Sequence, residues 1–421
     1  MKPYIIATAC TVLAGVALPG IPVGLGDVSV RIAATATYDS NVFGAPDTID
    51  DYSGTLTPRV TYVRKAGLIE AEANAGISFI RYLELTELDA DNIDIDASLW
   101  ITKSDIRNYS GLLSAAYRET SDLDADINAR INTTTAALTG EAEFATGPRT
   151  NLGLSGSYYD ISRSEASDQQ RLATEVLYTY SDFFHGNSLR LTGNYDQLQS
   201  SGGNDRGVPL DQTSYMAAVG LSRRLAQDAL LGTISAGYRI LHRSREETAG
   251  GVRRQAGYVI SASLEGPFLP RKYFPKVESE FTLSYRDAAN PGINDPGSKE
   301  LTGSMLLSWQ ARHTTQVSFA AHRIQRLSVN DLSVVSTMVQ LGVTQILRHN
   351  LTASVKAGYD WSSFRGIARN DKTASLHAAL TYHFARAWDM SLTYIFNSTS
   401  STLRAADYSR QVASLQIGYR F

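Results

Sequence analysis

The chain carries seven histidines, His185, His242, His313, His322, His349, His377 and His383. Imidazole is the side chain from which a general base or a metal site is most readily built near neutral pH. His185, His313 and His349 fall in short turns. His377 and His383 share one strand and one face, but at strand rise their six-residue separation is about 20 Å, too far to share a metal. A hydrolase requires a nucleophile, a base and an orienter within reach of one another. The sequence has no Gly-x-Ser-x-Gly elbow, no phosphate loop and no His-Glu-x-x-His, the short motifs that would announce such sites. Two aspartate runs remain, Asp122, Asp124 and Asp126, and Asp89 and Asp91 before Asp94. An EF-hand beginning at Asp122 would need Gly where Ile127 stands and Glu where Thr133 stands. The first run reads as a solvated acidic loop, with divalent-cation binding as the alternative. No catalytic residue, no metal site and no cofactor is expected, and the chain is not expected to be an enzyme.

The elements that hold these residues are read from period-two alternation. Leu351, Ala353, Val355, Ala357, Tyr359 and Trp361 alternate with Thr352, Ser354, Lys356, Gly358 and Asp360. The same pattern places Leu376, Ala378, Leu380, Tyr382 and Phe384 on one face of the next strand. Trp388, Met390, Leu392, Tyr394 and Phe396 follow on the strand after it, where Ile395 interrupts the polar face. The chain ends in the same way, with Ala413, Leu415, Ile417, Tyr419 and Phe421 opposed to Ser414, Gln416, Gly418 and Arg420. Alternation over about ten residues is the length and dyad pattern of a strand crossing a bilayer. About 20 such runs begin near Val30 and end at Phe421, with 18 as the alternative count. Pro58 lies inside the second run and removes a ladder donor there.

Connections alternate in kind. Short ones include Lys65-Ala66-Gly67, His185-Gly186-Asn187, Arg312-His313 and Arg348-His349-Asn350. Long ones cover residues 39–53, 199–213, 243–255, 287–299 and 397–408. This is the turn asymmetry of bacterial outer-membrane barrels, and an even count puts both termini at the short-turn end. An open sheet in hydrocarbon would leave its edge N–H and C=O groups without partners, so the sheet must close. The expected fold is therefore all-β, a transmembrane antiparallel up-and-down barrel with no separate plug domain. A β-propeller or solenoid is the alternative for a chain with recurring aromatics.

The N-terminus fits this location. Lys2 precedes an apolar run from Tyr4 to Leu18, the layout of a secretory signal. Residues 1–26 read as signal peptide, with Gly15/Ala17 as the other cleavage region, and residues 27–421 as barrel. Cys10, the only cysteine, lies within the signal. Charged residues make up 19% and the net charge is −3, which gives no basic stripe of the kind nucleic acid requires.

Phase also sorts the side chains. Tyr is abundant, 22 against 13 Phe and 4 Trp. Tyr117, Tyr158, Tyr195, Tyr238, Tyr285 and Tyr359 recur at the ends of strands that run into long loops. An outward tyrosine at one height makes an aromatic girdle at the lipid headgroups. Tyr419 and Phe421 form the terminal aromatic signal expected of a barrel's last strand. Inward-facing Glu70, Glu72, Glu141, Glu143, Glu265, Glu278 and Glu280 fall at short-turn ends. Arg118, Arg171, Arg239 and Arg286 fall at long-loop ends. An acidic inner vestibule and an arginine-bearing outer mouth are expected, and such charges tune pore selectivity. The alternative is that they are solvated charges with cross-strand partners and no selectivity. Near 20 strands the interior is too wide for side chains to fill. Any constriction is expected from infolded loops at residues 198–213 or 243–255. The connection 266–276, with three prolines and Phe268, Tyr273 and Phe274, is either an interfacial anchor or a docking site for a periplasmic partner.

The first strand runs into Tyr38-Asp39-Ser40-Asn41-Val42-Phe43. This ending, the late start and the terminal Tyr-Arg-Phe resemble the β-barrel porin family found in exopolysaccharide gene clusters of Gram-negative bacteria. The resemblance implies an outer-membrane barrel associated with polysaccharide secretion and supplies no catalytic residues. Asp39 and Asn41 are expected to cap the strand-to-loop turn through side-chain hydrogen bonds. Two functions are in view. One is a pore for export or passage of polysaccharide or another hydrophilic solute. The other is a structural or adhesion barrel that binds partners through long outer loops. Expected partners are outer-membrane lipid and lipopolysaccharide, the barrel assembly machinery and periplasmic polysaccharide-export components, with no nucleic acid.

Overall fold

The computed structural model describes residues 21–421 except 66, 102–107, 125, 128, 165, 202–209, 226–229, 244–253, 268–275, 288–298, 330–331 and 366. The expected signal lies largely outside the described residues, as do most of the loops 198–213 and 243–255 and the aromatic segment of 266–276.

Twenty strands, here β2 to β21, form one antiparallel sheet that closes on itself. They are β2 (Gly26–Asp39), β3 (Asp51–Arg64), β4 (Ile69–Tyr82), β5 (Ala90–Ile101), β6 (Tyr109–Asp124), β7 (Ala129–Gly147), β8 (Thr150–Arg163), β9 (Gln169–Phe184), β10 (Asn187–Ser200) and β11 (Leu210–Leu225). The circle continues through β12 (Leu230–Arg243), β13 (Arg254–Glu265), β14 (Val277–Arg286), β15 (Glu300–Arg312), β16 (Thr315–Leu327), β17 (Ser333–Arg348), β18 (Leu351–Phe364), β19 (Arg369–His383), β20 (Trp388–Ser401) and β21 (Tyr408–Arg420). A short β1 (Ile21–Val23) pairs with the start of β2. Removal of residues 1–26 would take β1 away and leave all twenty strands paired.

Closure is made by β2 and β21, in register from Arg31↔Arg420 to Asp39↔Val412. Val30 and Phe421 exchange both backbone hydrogen bonds at 2.9 Å, so pairing extends to the last residue. Each side chain of an antiparallel pair faces the same way as its directly opposed partner. Opposed residues Glu70, Trp100, Leu112, Glu141, Ser155, Glu175, Asn194, Met216 and Arg239 therefore form one lumen row. The row starts at the short-turn end of β4 and finishes at the long-loop end of β12. That climb is the stagger a tilted-strand barrel must have. The outward set contains Leu99, Leu113, Leu138, Leu154, Val176, Leu191 and Val219, all exposed on the lipid-facing wall.

Pro58 removes a ladder donor as expected: the ladder toward β4 is interrupted between Leu56↔Phe79 and Arg59↔Gly76, while Pro58 still pairs with Ile32 on β2. The Thr57 and Ser78 hydroxyls, 3.1 Å apart, bridge that gap on the lumen side. One expectation needs correction: Asp122 and Asp124 are not in a loop but in β6, whose ladder with β7 runs to Asp124↔Ala129. Several strands exceed the length needed to cross a bilayer, β7 reaching 19 residues, because backbone pairing continues above the lipid where alternation is no longer required. The loops shorten accordingly: 39–53 becomes 40–50, and 397–408 becomes 402–407.

Candidate functional site: the lumen and its outer mouth

The lumen wall is built from small hydroxyl residues on the polar phase of each strand. Directly opposed pairs hydrogen-bond across the sheet: Ser98 with Ser114 at 2.9 Å, Ser235 with Ser261 at 2.6 Å, Thr282 with Ser304 at 2.7 Å, Thr37 with Ser414 at 3.0 Å and Thr373 with Thr399 at 2.8 Å. A hydroxyl donates one hydrogen bond and still offers acceptor capacity to water or solute. Trp100 and Tyr159 also stand on the lumen phase.

The four expected arginines are inward and toward the outer end, and each has a polar neighbour. Arg118 Nε donates to Asp94 at 3.2 Å, and Arg59 holds the same carboxylate from β3. Arg171 donates to both oxygens of Asp196, at 2.8 and 3.2 Å. Arg239 is buried and donates to Ser214 Oγ at 3.1 Å. Arg286 lies 3.9 Å from Glu300. The glutamates differ. Glu70, Glu72, Glu141, Glu143, Glu265, Glu278 and Glu280 occupy the inner half of the lumen phase. Among the described residues no ion pair involves Glu70, Glu141, Glu143 or Glu278. Glu72 accepts a hydrogen bond from Asn74 at 3.3 Å. The four outer arginines thus each have an acceptor or carboxylate beside them, whereas Glu70, Glu141, Glu143 and Glu278 have no ion pair among the described residues, on a lumen phase that also carries Arg190, Arg224 and Lys356 in its inner half.

The six repeated tyrosines all face outward. Tyr117, Tyr158, Tyr238 and Tyr359 are exposed, whereas Tyr195 and Tyr285 are half-buried by neighbours. Their hydroxyls reach up the strand toward the outer end, Tyr117 to Glu119 at 2.6 Å and Tyr195 to Gln197 at 2.8 Å. Adjacent strands supply a second set that the repeat did not reveal. Tyr215 packs 5.3 Å from Tyr195, Tyr258 5.5 Å from Tyr238 and Tyr52 5.0 Å from Tyr38. At the inner end Tyr382, Phe384, Trp388, Tyr419 and Phe421 form a continuous run of ring contacts from 4.7 to 6.2 Å.

The outer mouth holds the most deeply buried side chains, Val42, Asn41, Ser167, Val334 and Ser333. Asp39 and Asn41 cap the first loop as their spacing predicts. The Asn41 amide N–H donates to Asp39 Oδ1 at 3.1 Å, and the Asn41 side chain spans to Ala45 and to Ser409 O. On β3, Asp51 accepts amide N–H groups from Tyr52 at 2.7 Å, Glu84 at 3.2 Å and Leu85 at 2.9 Å. Burial pushes this carboxyl upward, but the amide donors outweigh it and hold it below the usual carboxylate range.

The mouth is also crossed. Asp126, at the tip of the β6–β7 hairpin, accepts two hydrogen bonds from Arg326 of β16, at 2.5 and 2.7 Å. Its backbone carbonyl accepts another from Arg369 of β19. In a circle of twenty strands, β16 lies almost diametrically opposite this hairpin. A second crossing joins Ser167 N–H to Val329 O at 3.1 Å. The constriction therefore arises at least from this hairpin, which was read as a solvated acidic loop. Arg326 and Arg369 carried no local signal.

Residues 292–421 match the family model described as "Putative beta-barrel porin 2". The match covers the last seven strands. Among curated proteins none matches the chain. The fold is similar to that of the ferric-catecholate import receptor Fiu from E. coli K12 in its open form, with TM-score 0.54 and 9% identity over 93% of this chain and 81% of that one. It is equally similar to the FrpB iron transporter of Neisseria meningitidis, F5-1 variant, with TM-score 0.54, 9% identity and the same coverages. The siderophore receptor PirA of Acinetobacter baumannii gives TM-score 0.52 at 7% identity over 93% and 80%. At these identities the likeness is one of fold, that of an outer-membrane barrel.

Proposed function

We propose that this chain is an outer-membrane pore that passes a hydrophilic solute, with polysaccharide as the preferred class. The observation that carries this reading is the two-sided wall of a closed cylinder, aliphatic outside and lined with hydroxyl pairs inside. Hydroxyl-rich walls with inward Trp100 and Tyr159 suit carbohydrate, whose hydroxyls hydrogen-bond and whose ring faces stack on aromatics. The resemblance of Tyr38 to Phe43 to barrels of exopolysaccharide clusters favours the same class. Passage of a solute without chemistry on it accords with the roles of the fold relatives, which are import receptors and transporters. The reading includes lipopolysaccharide around the outer girdle, assembly machinery reading Tyr419 and Phe421, and periplasmic polysaccharide-export components at the inner end.

A second reading is a closed structural or adhesion barrel that meets partners through its outer loops. The crossed mouth favours it. Planar-bilayer recordings of the purified full chain separate the two. Discrete channels support the pore, and silence from folded protein supports the closed barrel. Among pore outcomes, block of current by added acidic or neutral polysaccharide supports the carbohydrate class, and indifference to both removes it.

A further inference from the structure

The β6–β7 hairpin parts from its neighbours before it ends. Pairing of β6 with β5 stops at Asp94↔Arg118, although β5 continues outward to Ala90 against β4. Pairing of β7 with β8 stops at Thr133↔Arg163. One residue farther out Asn132 still holds Ser164, accepting from its N–H at 3.0 Å and donating to its Oγ at 3.1 Å. Beyond Asn132 the two strands pair only with each other, through Asp124↔Ala129. A two-stranded ribbon is marginal by itself in water, so what it touches determines where it rests. Immediately before its tip, Leu123 packs against Gly44 of the first outer loop, where an added Cβ would lie 2.5 Å from Leu123 Cδ2. Arg130 sits 5.2 Å over the Tyr82 ring and donates to its own hairpin at Ser121 O, 3.0 Å away. At its tip, Asp126 engages Arg326 and Arg369 on the far wall. Arg369 is itself fixed, donating from Nε and Nη2 to Asp371 and lying 4.3 Å over the Phe364 ring. The far wall is thus a rigid keeper and the ribbon a detachable bar.

We infer that the outer part of the β6–β7 hairpin is a gate that shuts the lumen at its outer end, latched by Asp126 on Arg326 and Arg369. The gate rests on the pore reading above. Release of the tip leaves the outer ribbon held only by side-chain contacts of Leu123 and Arg130 with no strand beside it beyond Asn132, and the lumen below it is lined with polar groups. The bidentate geometry makes the carboxylate–guanidinium pair the specific part of the latch.

Planar-bilayer recordings of the full chain test it, with heat-modifiable electrophoretic mobility certifying folded barrel for every variant. Asp126→Ala and Arg326→Gln, on opposite walls, are each expected to raise open probability about fivefold or more over wild type, since a half-buried bidentate pair outweighs an exposed one. The exchange Asp126→Arg with Arg326→Asp is expected to return it toward wild type. Steady large channels from wild type, unchanged in both single variants, leave the pore reading standing and overturn the gate. Silence from wild type and all variants overturns both. An exchange variant as open as the single variants overturns the assignment of this pair as the latch.

Discussion

Arg410 and Asp39 form a two-pronged ion pair across the seam where the last strand meets the first, with Nε 3.0 Å from one carboxylate oxygen and Nη2 2.6 Å from the other. Asp39 is buried, and the same carboxylate receives the Asn41 amide. This pair stands at the outer end of the β2–β21 ladder, which closes the sheet. Breaking a buried pair by removing one partner leaves an uncompensated charge. Asp39→Ala should therefore cost about 2–4 kcal/mol, toward the low end because Arg410 keeps some exposure. Urea unfolding of the barrel refolded in vesicles, followed by tryptophan emission, checks the loss. A midpoint equal to wild type would show that the seam is held by its backbone ladder alone.

Gly418 lies between the two partners of a second seam contact. Arg31 of β2 reaches over β21 to Asp389 of β20, Nη2 to Oδ2 at 2.7 Å. A Cβ at Gly418 would stand 2.7 Å from Arg31 Nη2 and 2.8 Å from Asp389 Oδ1. Gly418→Leu must displace the pair and crowd the wall, costing about 1–3 kcal/mol from overpacking alone. Arg31→Ala with Asp389→Ala should absorb much of that cost, because the obstruction is gone. Unfolding midpoints of the three variants give the comparison, and equal losses in Gly418→Leu with and without the pair would refute it.

The sequence made the barrel legible because lipid imposes a rule on every second residue, and that rule is local. Leu351 to Trp361 announces β18 without reference to any other strand, and the Phe421 ending announces the seam. The rule stops where lipid stops. Glu119 to Asp124 carry polar groups on both faces, so the outer half of β6 looked like loop although its ladder with β7 is unbroken. The cross-mouth contacts are less legible still. Asp126 and Arg326 are 200 residues apart, and Asp126 and Arg369 243 apart. No periodicity links them, and only the circumference of the closed sheet sets them face to face. Pro58 was legible for the same local reason: its one missing donor interrupts one ladder, toward β4, and β2 on its other side keeps the strand in place.

Asp51 makes the outer loop after β4 sensitive to acid. Its carboxylate accepts the amides of Tyr52, Glu84 and Leu85, and its pKa is lowered in the folded chain. A lowered folded value means that the stabilisation is fully present above the unfolded value, about 3.9 for aspartate. It is lost as pH falls through the lower folded value. Hydrogen exchange at the Glu84 and Leu85 amides should therefore accelerate, relative to intrinsic rates, only on acidification below pH 4. Asp51→Asn should exchange faster at neutral pH and show no such acid step. Protection that is independent of pH in the wild type would remove the carboxylate from this role.

The contrast between the paired outer arginines and the unpaired Glu70, Glu141 and Glu143 predicts where ion selectivity resides. Arg171 contacts Asp196 and Arg118 shares Asp94 with Arg59, so their fields are reduced at the distance of a passing ion. Glu70 and Glu141 lie on one lumen row with only Trp100 and Leu112 between them, and Glu143 is two residues farther along β7. Each unmatched lumen charge biases the local potential by an amount of order RT. Replacing Glu70, Glu141 and Glu143 together by Gln should lower cation-over-anion permeability by about twofold or more, the effect shrinking in high salt. Replacing Arg118, Arg239 and Arg286 by Gln should shift it less, because Arg118 and Arg286 have a carboxylate close by and Arg239 is buried against Ser214. Reversal potentials under a potassium chloride gradient, measured on open channels of Asp126→Ala protein, rank the two triple variants. A larger shift from the arginine set would place the selectivity filter at the outer mouth instead.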